Sequence, residues 1–595
     1  MTNYHKEQIE IIDKQLNNLK TKSNIMFWGK ILTFIGSLAM LYFCFTNTGT
    51  MMVIATILLA IAYCSAYVYD SKLQHRFEKL CTLHKLHENE INALKGEFSA
   101  FPTGEEFVDK SHPYSFDLDI FGKGSLFNRV CRCTTDIGRR RLAEMMQTIQ
   151  TDTKSIRKRM EAISELGRNE KYVGFIESVC TEEHTEGRIT DIIPLLSENT
   201  SKETEGKFCS WQFHFLWTIP LCIFWSIVIM WALGMIPDSI PTLFFMLNLA
   251  YMRIYRHTLK RMFKEASQLR KEFRGYAKLL KIIEKQTFTS SLLRDRFNAL
   301  FKDKGNATEA LHRLNRTLTN VELRDNFVMY LICDGLFLAP PLLIRHFIKW
   351  KETHLRHISE WVDAIADFDA MASLGYYTFN HPTSNFANPQ TSQHFHIEAK
   401  GLYHPFLPSD KAVSNDFTQS EKELFIITGA NMAGKSTMLR TVGISMVMAG
   451  CGLPLCAEKF DYTPTLLFSN MRTSDDLNQN ISYFNAELNR LKQLITFCKQ
   501  NEHTFIILDE ILKGTNSEDK LKGSVKFLRH ISQMPVTGIV ATHDLAISSL
   551  EDENKAFKNF CFEIDMYENV NYSYKMTRGV ARNMNATYLL DKILV

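Results

Sequence analysis

The chain of 595 residues exceeds what one hydrophobic core holds, because cores stop growing near ~250–300 residues, so several domains are expected. A net charge of +4 is too small to argue for nucleic acid on its own. The 13 cysteines are scattered, with only Cys131 and Cys133 close together and no CxxC pair, which points away from a disulfide framework or cysteine metal site and toward reduced thiols in the cytosol.

In chain order, Ile9, Ile12, Leu16 and Leu19 recur at helical spacing, which predicts an amphipathic lead-in helix over residues 1–24. Residues 31–69 contain no Asp, Glu, Lys or Arg. The sequence Asn47-Thr48-Gly49-Thr50 divides this run into pieces at 25–45 and 50–69. Each is near the ~20 residues that span a bilayer, so a transmembrane hairpin is predicted over 25–69. Lys30 stands near one end, placed to snorkel to the interface. The polar residues ahead of the run speak against a cleaved signal peptide.

Residues 73–95 continue as a charged helix, and 101–124 read as a loop region. Arg139, Arg140 and Arg141 suit either a phosphate-binding patch or a solvated helical face, the latter being the default. A polar helical pattern covers 151–197.

A second apolar region, 211–252, holds the charge-free stretch 215–236, a turn at Pro237-Asp238 and Pro241, and a shorter stretch at 242–252. Both turns lack Lys and Arg. Lys20, Lys22, Lys72 and Arg76 flank the first hairpin, and Arg253, Arg256, Lys260, Arg261 and Lys264 follow the second. The positive-inside rule therefore predicts a multi-pass protein of the cell (inner) membrane with both termini cytoplasmic. The alternative is two buried helical hairpins in a large soluble core.

Residues 253–285 form a basic helical pattern with Leu269, Phe273, Tyr276, Leu280 and Ile283 on an apolar stripe, suited to anionic lipid or nucleic acid, with lipid favoured by its place beside a span. Asp334 and Pro340-Pro341 interrupt the apolar stretch 328–344, which reads as a core helix rather than a fifth span. Helical pattern resumes at 357–374, and the prolines within 380–393 mark a domain boundary.

The remainder alternates strand and helix signals, as an α/β nucleotide-binding domain does. An apolar strand pattern runs into Thr428-Gly429-Ala430-Asn431-Met432-Ala433-Gly434-Lys435-Ser436-Thr437, a G-x-x-x-x-G-K-S loop followed by a helical pattern. In that setting backbone N–H groups close around phosphates, Lys435 reaches the β/γ-phosphates of ATP, and Ser436 binds Mg²⁺. A second strand ends in Asp509-Glu510. Asp509 suits the Mg²⁺ shell, and Glu510 suits orientation or activation of the attacking water. A third strand, 536–541, ends at Thr542-His543, where His543 is placed to sense the γ-phosphate. Between loop and acids lies a polar helix start over 474–487 with Asp475, Asp476, Asn480, Ser482 and Glu487.

Together these residues resemble the MutS family of DNA mismatch-repair ATPases. The loop 428–437 looks like that family's T-G-x-N-M-x-G-K-S-T. Leu508-Asp509-Glu510 with Gly514-Thr515 looks like its L-D-E-x-x-x-G-T, Ala541-Thr542-His543 like its A-T-H, and Gly579-Val580-Ala581 like its late G-V-A. The segment from Asp475 to Glu487 is similar to the family's dimer signature, with Asn480 where a glycine is usual and Ser482 matching the signature serine. Upstream, Ser125-Leu126-Phe127, Arg132, Thr134 and Gly138 resemble the opening of the family's lever domain, and Ala370 to Leu374 and His404-Pro405 also fit, so the likeness runs over roughly 116–595 apart from the apolar insert. No mismatch-reading domain or wedge segment is found, because apolar spans occupy the amino-terminal end.

The resemblance implies an α/β ABC-type P-loop ATPase domain joined to an all-α lever-like domain, here with two transmembrane helical hairpins. The expected divisions are a lead-in at 1–24, hairpins at 25–69 and 211–252, lever parts at 70–210 and 253–390, and the ATPase domain at 391–595. ATP and Mg²⁺ are expected between two copies of the chain. One copy supplies residues 429–437, Asp509, Glu510 and His543, and the other supplies Ser482. The implied partners are a second copy, membrane lipid, DNA without mismatch specificity, and a further protein. The competing readings are a membrane-remodelling or transport-like module without DNA function, and a scaffold that binds nucleotide without turnover.

Overall fold

The computed structural model describes residues 1–46, 50–181, 213–263, 266–302, 306–408, 410–472, 483–565 and 571–582. They form two compact units, one of residues 1–105 and 122–129, the other of 106–121 and everything from 130 onward.

The first unit is dominated by α1 (Thr2–Thr46) and α2 (Thr50–Leu94), each of 45 residues and so about 68 Å long at the usual rise per residue. No proline interrupts either, and the lead-in over 1–24 and the first predicted span are one continuous helix. The two helices pack along each other, closely enough at Gly36 that a Cβ there would lie 3.7 Å from Leu59. Lys30 forms an ion pair with buried Asp70 across the hairpin, so it is held by a partner rather than reaching along the helix to an interface. Trp28, Leu32, Tyr42, Leu58 and Tyr67 all point outward.

In the second unit, nine helices precede the sheets among the elements that matter here. They are α3 (Asp136–Gln147), α4 (Thr153–Arg168), α5 (Val173–Cys180), α6 (Ile219–Ala232), α7 (Ser239–Met262), α8 (Ala266–Glu284), α9 (Ser291–Phe301), α10 (Ala307–Leu323) and α11 (Ala339–Asn380). By length and composition, two described helical stretches suffice to cross a membrane, Ile54–Leu94 and Phe215–Ala232, with only 6% of each apolar window buried. A third is added if Phe327–Leu336 and α11 count as one bent span. The first and fourth predicted spans lie on α1 and α7, which do not meet that measure over the described residues. On the basic stretch, Tyr276, Leu280 and Ile283 are buried on α8, so that part of the stripe faces the helical core and not lipid.

The 42-residue α11 is the spine of the helical layer, packed by α3, α4, α5, α9 and α10. Its carboxyl-terminal half is buried almost without interruption, because small residues let neighbours approach. A Cβ on Gly167 of α4 would lie 2.5 Å from Gly375 O. Buried Asp369 receives Thr134 N (3.2 Å), Thr135 N (2.8 Å) and Thr135 Oγ1 (2.5 Å), while Thr135 Oγ1 accepts Gly138 N (2.9 Å) and caps α3. A Cβ on Gly138 would lie 2.2 Å from Asp369 Oδ2. Ser373 Oγ accepts Arg132 N and donates to Val130 O, both at 2.8 Å. The three arginines remain partly exposed, as a solvated helical face does, and each is held there by an ion pair. Arg139 and Arg140 turn back onto Asp136, and Arg141 reaches Asp363 and Asp367.

The α/β part begins with β1 (His396–Leu402), β2 (Asn415–Ser420) and β3 (Leu424–Gly429). It continues with α12 (Lys435–Cys451), β4 (Lys459–Tyr462), β5 (Leu466–Asn470), α13 (Tyr483–Gln500) and β6 (Thr504–Asp509). It ends with α14 (Ser517–Ile531), β7 (Val536–Ala541), β8 (Phe557–Asp565) and β9 (Asn571–Arg578). The main sheet runs β9-β8-β3-β7-β6-β5, parallel except for β9 at one edge, while β4, β1 and β2 pair antiparallel in a smaller sheet. Strands β3, β6 and β7 read as near-continuous apolar runs because helices cover both faces of a parallel sheet.

Candidate nucleotide-binding site

The register of the parallel strands assembles the site. Strand β7 lies between β3 and β6, with Ala541 opposite both Ile427 and Asp509. Two residues further on, His543 comes level with Gly429 on one side and reaches Glu510 on the other. The backbone continues that alignment, since Thr542 N donates to Ile427 O (3.0 Å) and Glu510 N to Ala541 O (2.9 Å). Ligands bind at this carboxyl edge in open α/β sheets.

The loop leaves β3 at Gly429, where φ is 147° and a Cβ would sit 2.8 Å from Phe562 O. Gly434, at φ 112°, caps α12, and a Cβ there would meet Tyr574 Cδ1 at 3.3 Å. Between them Ala430 and Ala433 are buried, Asn431 is exposed, and Met432 is 77% exposed with φ 66°. Ser436 and Thr437 sit exposed in the first turn of α12. A 17-residue helix opening on a glycine-shaped loop presents free N–H groups and the positive end of its dipole to an anion.

Lys435 is buried, and its Nζ donates to Gly429 O (2.7 Å) and Ala430 O (2.9 Å) and lies 3.3 Å from His543 Nδ1. Burial pushes its ammonium below the usual lysine range, while the Glu510 and Asp509 carboxylates oppose that shift. Glu510 pairs through Oε1 with His543 Nε2, and Lys520 stands 3.9 Å from its Oε2. His543 Nδ1 lies 3.3 Å from both Lys435 Nζ and Gly429 O, and facing the carboxylate the ring donates from Nε2 to Glu510. That hydrogen bond is the main reason the carboxyl drops from 4.5 to about 2, against the opposing effect of burial. Glu510 itself has φ 55°, a strained left-handed backbone of the kind that collects at functional sites.

The loop, Asp509, Glu510 and His543 thus lie together at the carboxyl edge of the sheet. Ser482 and Asn480 lie outside the described residues. Their segment is bounded by two anchors, Glu487, which the sequence marks only as part of a polar helix start, and Asp119, which no sequence pattern announces. Glu487 on α13 is buried and accepts Lys513 N (3.1 Å), tying the loop after Glu510 to α13. Asp119 receives Arg472 in a two-pronged pair (2.6 and 2.8 Å) and also Arg440 of α12 (3.1 Å). Ala581 N donates to Thr428 Oγ1 (3.0 Å), which gives the late Gly-Val-Ala its place behind β3.

The arrangement suits a polyphosphate. Ser436 and Asp509 are the donors available for Mg²⁺, an ion that takes one or two protein ligands and completes its shell with water and phosphate. No cluster of three or more His, Cys, Asp or Glu able to hold a metal by themselves occurs among the described residues.

Because the Glu510 pKa is depressed, the carboxylate is ionised above 4.5 and is lost only as pH falls toward about 2. The ratio of hydrolysis rates between the natural chain and Glu510→Gln is therefore expected to stay constant from about pH 5 to about pH 9. A ratio that rises through neutral pH in a pH–rate series would show that Glu510 titrates there.

The far end of α12 is fastened to the helical layer. Arg159 donates to Gly450 O and Cys451 Sγ to Met145 O, both at 3.1 Å, and a Cβ on Gly450 would meet Ile149 Cγ2 at 3.3 Å. The helix that starts at the loop therefore ends on α4 and the end of α3, which pack on α11.

Comparison with known proteins agrees on the same region. The family model described as MutS domain V matches residues 425–588. A DNA mismatch repair protein MutS from Lachnoclostridium phytofermentans is 30% identical over 239 residues, which is 38% of this chain and 25% of the relative. Endonuclease MutS2 from Thermus thermophilus is 29% identical over 180 residues, covering 30% and 24%, and MutS protein homolog 4 from Mus musculus is 26% identical over 244 residues, covering 39% and 25%. The chain spans about a quarter of the length of these relatives, a narrower likeness than the motifs upstream of α11 suggest. From β3 through the late Gly-Val-Ala, then, this chain is similar to MutS domain V.

Proposed function

We propose that the protein is a membrane-anchored MutS-like ATPase that binds ATP with Mg²⁺ in a dimer and engages DNA. The observation that carries the reading is the convergence of Lys435, Glu510 and His543 on the glycine-shaped loop at the start of α12. Mg²⁺, held by Ser436 and Asp509, would supply charge neutralisation at the phosphates. Lys435 exchanges its bonds to Gly429 O and Ala430 O for phosphate oxygens and stabilises charge there. Glu510, kept ionised by His543, orients the attacking water, while His543 links that carboxylate to Lys435. A second copy supplies Ser482. Nucleotide-driven movement of α12 passes through α3 and α4 to α11, which acts as the lever.

DNA as the polymer engaged follows the names of the similar proteins. The exposed apolar faces of α1, α2, α6 and α7 support anchoring in the cell (inner) membrane and also a second reading, a membrane-remodelling or transport-like module with DNA inert. ATP hydrolysis by the full chain in lipid nanodiscs, with and without duplex and branched DNA, separates them. DNA stimulation that disappears in Lys435→Ala and Glu510→Gln is the expected result. Robust hydrolysis indifferent to DNA would favour the membrane module.

A further inference from the structure

The stretch read from sequence as a core helix, 328–344, is instead broken. Phe327–Leu336 and α11 meet at 86°, with Leu338 at φ 47°. Three observations bear on where the break sits. Phe327 is 72% exposed, Val328 60% and Phe337 50%, beside the outward apolar residues of α6 and α7. The carbonyls freed by the break are taken up by side chains of the neighbouring apolar region. Asn248 Nδ2 donates to Gly335 O (3.0 Å), Trp225 Nε1 to Leu336 O (3.2 Å) and Trp217 Nε1 to Phe337 O (3.1 Å). Finally, from residue 326 to residue 344 the only charged side chain is Asp334, which is buried and held by Arg324 through two bonds of 2.7 and 2.6 Å.

A water-exposed bend needs none of this, since solvent satisfies free carbonyls. In hydrocarbon, non-helical backbone is tolerated only where protein groups satisfy it, and charge only where it is paired. Trp225 lies midway along α6 and Asn248 within the apolar part of α7, while Trp217 stands just ahead of α6, so the bend runs along the apolar length of that region. Gly335 allows this approach, as a Cβ there would lie 2.2 Å from Phe245 Cε2. We propose that residues 327–337 form a re-entrant membrane element that enters the acyl-chain layer beside α6 and α7, turns at Phe337-Leu338, and returns as the lever α11. The inference rests on the membrane reading of α6 and α7. It places the lever's far end in lipid, so a nucleotide-driven shift of α11 acts on the bilayer directly.

The test uses the full natural chain in nanodiscs containing a phospholipid with a photoactivatable diazirine in its acyl tail, followed by peptide mapping. Peptides covering 327–337 are expected to be labelled on the order of ten-fold above the water-facing α14 peptide, in line with those of α6 and α7, because a tail-borne carbene reacts within the hydrocarbon layer. If α6 and α7 are labelled while 327–337 matches α14, the stretch faces water or is covered by protein, and the re-entrant element is refuted with the anchors intact. If α6 and α7 also match α14, membrane anchoring of this unit falls, and the element with it.

Discussion

Lys435→Ala is expected to lower ATP hydrolysis by on the order of 10²–10³-fold or more, the usual effect of removing a preorganised donor from the site of developing charge, and to weaken nucleotide binding as well. The ammonium is buried at the start of α12, where it donates to the loop carbonyls of Gly429 and Ala430. Glu510→Gln should behave differently. It leaves the loop and Lys435 in place, so binding is retained while turnover falls by on the order of 10²–10³-fold. Titration with a fluorescent ATP analogue beside steady-state hydrolysis distinguishes the two. Equal losses of binding in both variants would mean that Glu510 acts through the fold of the site and not on water.

The second large effect is structural. Asp369→Ala removes the acceptor for Thr134 N, Thr135 N and Thr135 Oγ1 at a point where α3 and α11 exclude water. Leaving those donors without a partner costs on the order of 3 kcal/mol or more. A fall in the apparent melting temperature of the solubilised protein of roughly 3–6 °C is expected, because the shift per kcal/mol shrinks as the cooperative unit grows. Asp369→Asn, which keeps one acceptor oxygen, should fall less. Near-equal melting of all three proteins would show that the junction is not a stability element. Because α3 and α4 also receive the end of α12, Asp369→Ala should lower any coupling between nucleotide and α11 as well as stability.

The glycine-shaped loop was legible because its pattern is local. Glycines at Gly429 and Gly434, a lysine and a serine must follow one another along the chain for a strand–loop–helix to present its amides. The strand-end positions of Asp509 and His543 were equally plain from apolar runs of six residues. Asp369 and Asp119 gave no such signal, and Glu487 was marked as part of a polar helix start but not as the acceptor for Lys513 N. Each acts on residues hundreds or tens of positions away, and an acid in a helix or loop looks the same whether it caps a neighbour or faces water. The arginine run 139–141 was legible in part. A string of like charges reads as a surface, which its partial exposure matches, but the sequence did not show that Asp363 and Asp367, more than 200 residues away, meet Arg141 in space. The stretch 328–344 was misjudged because composition reports apolarity, not a bend at Leu338 that Trp217, Trp225 and Asn248 stabilise.

By itself, then, the sequence determined which residues the loop presents, where strands end in acids and a histidine, and which stretches are strongly apolar, because each is a property of contiguous residues. Only the tertiary structure decided that β7 lies between β3 and β6, that His543 therefore bridges Lys435 and Glu510, and that α12 hands its far end to α4 and so to α11. Strand order and helix packing depend on pairings between distant segments, and those contacts leave no periodicity in the chain that makes them.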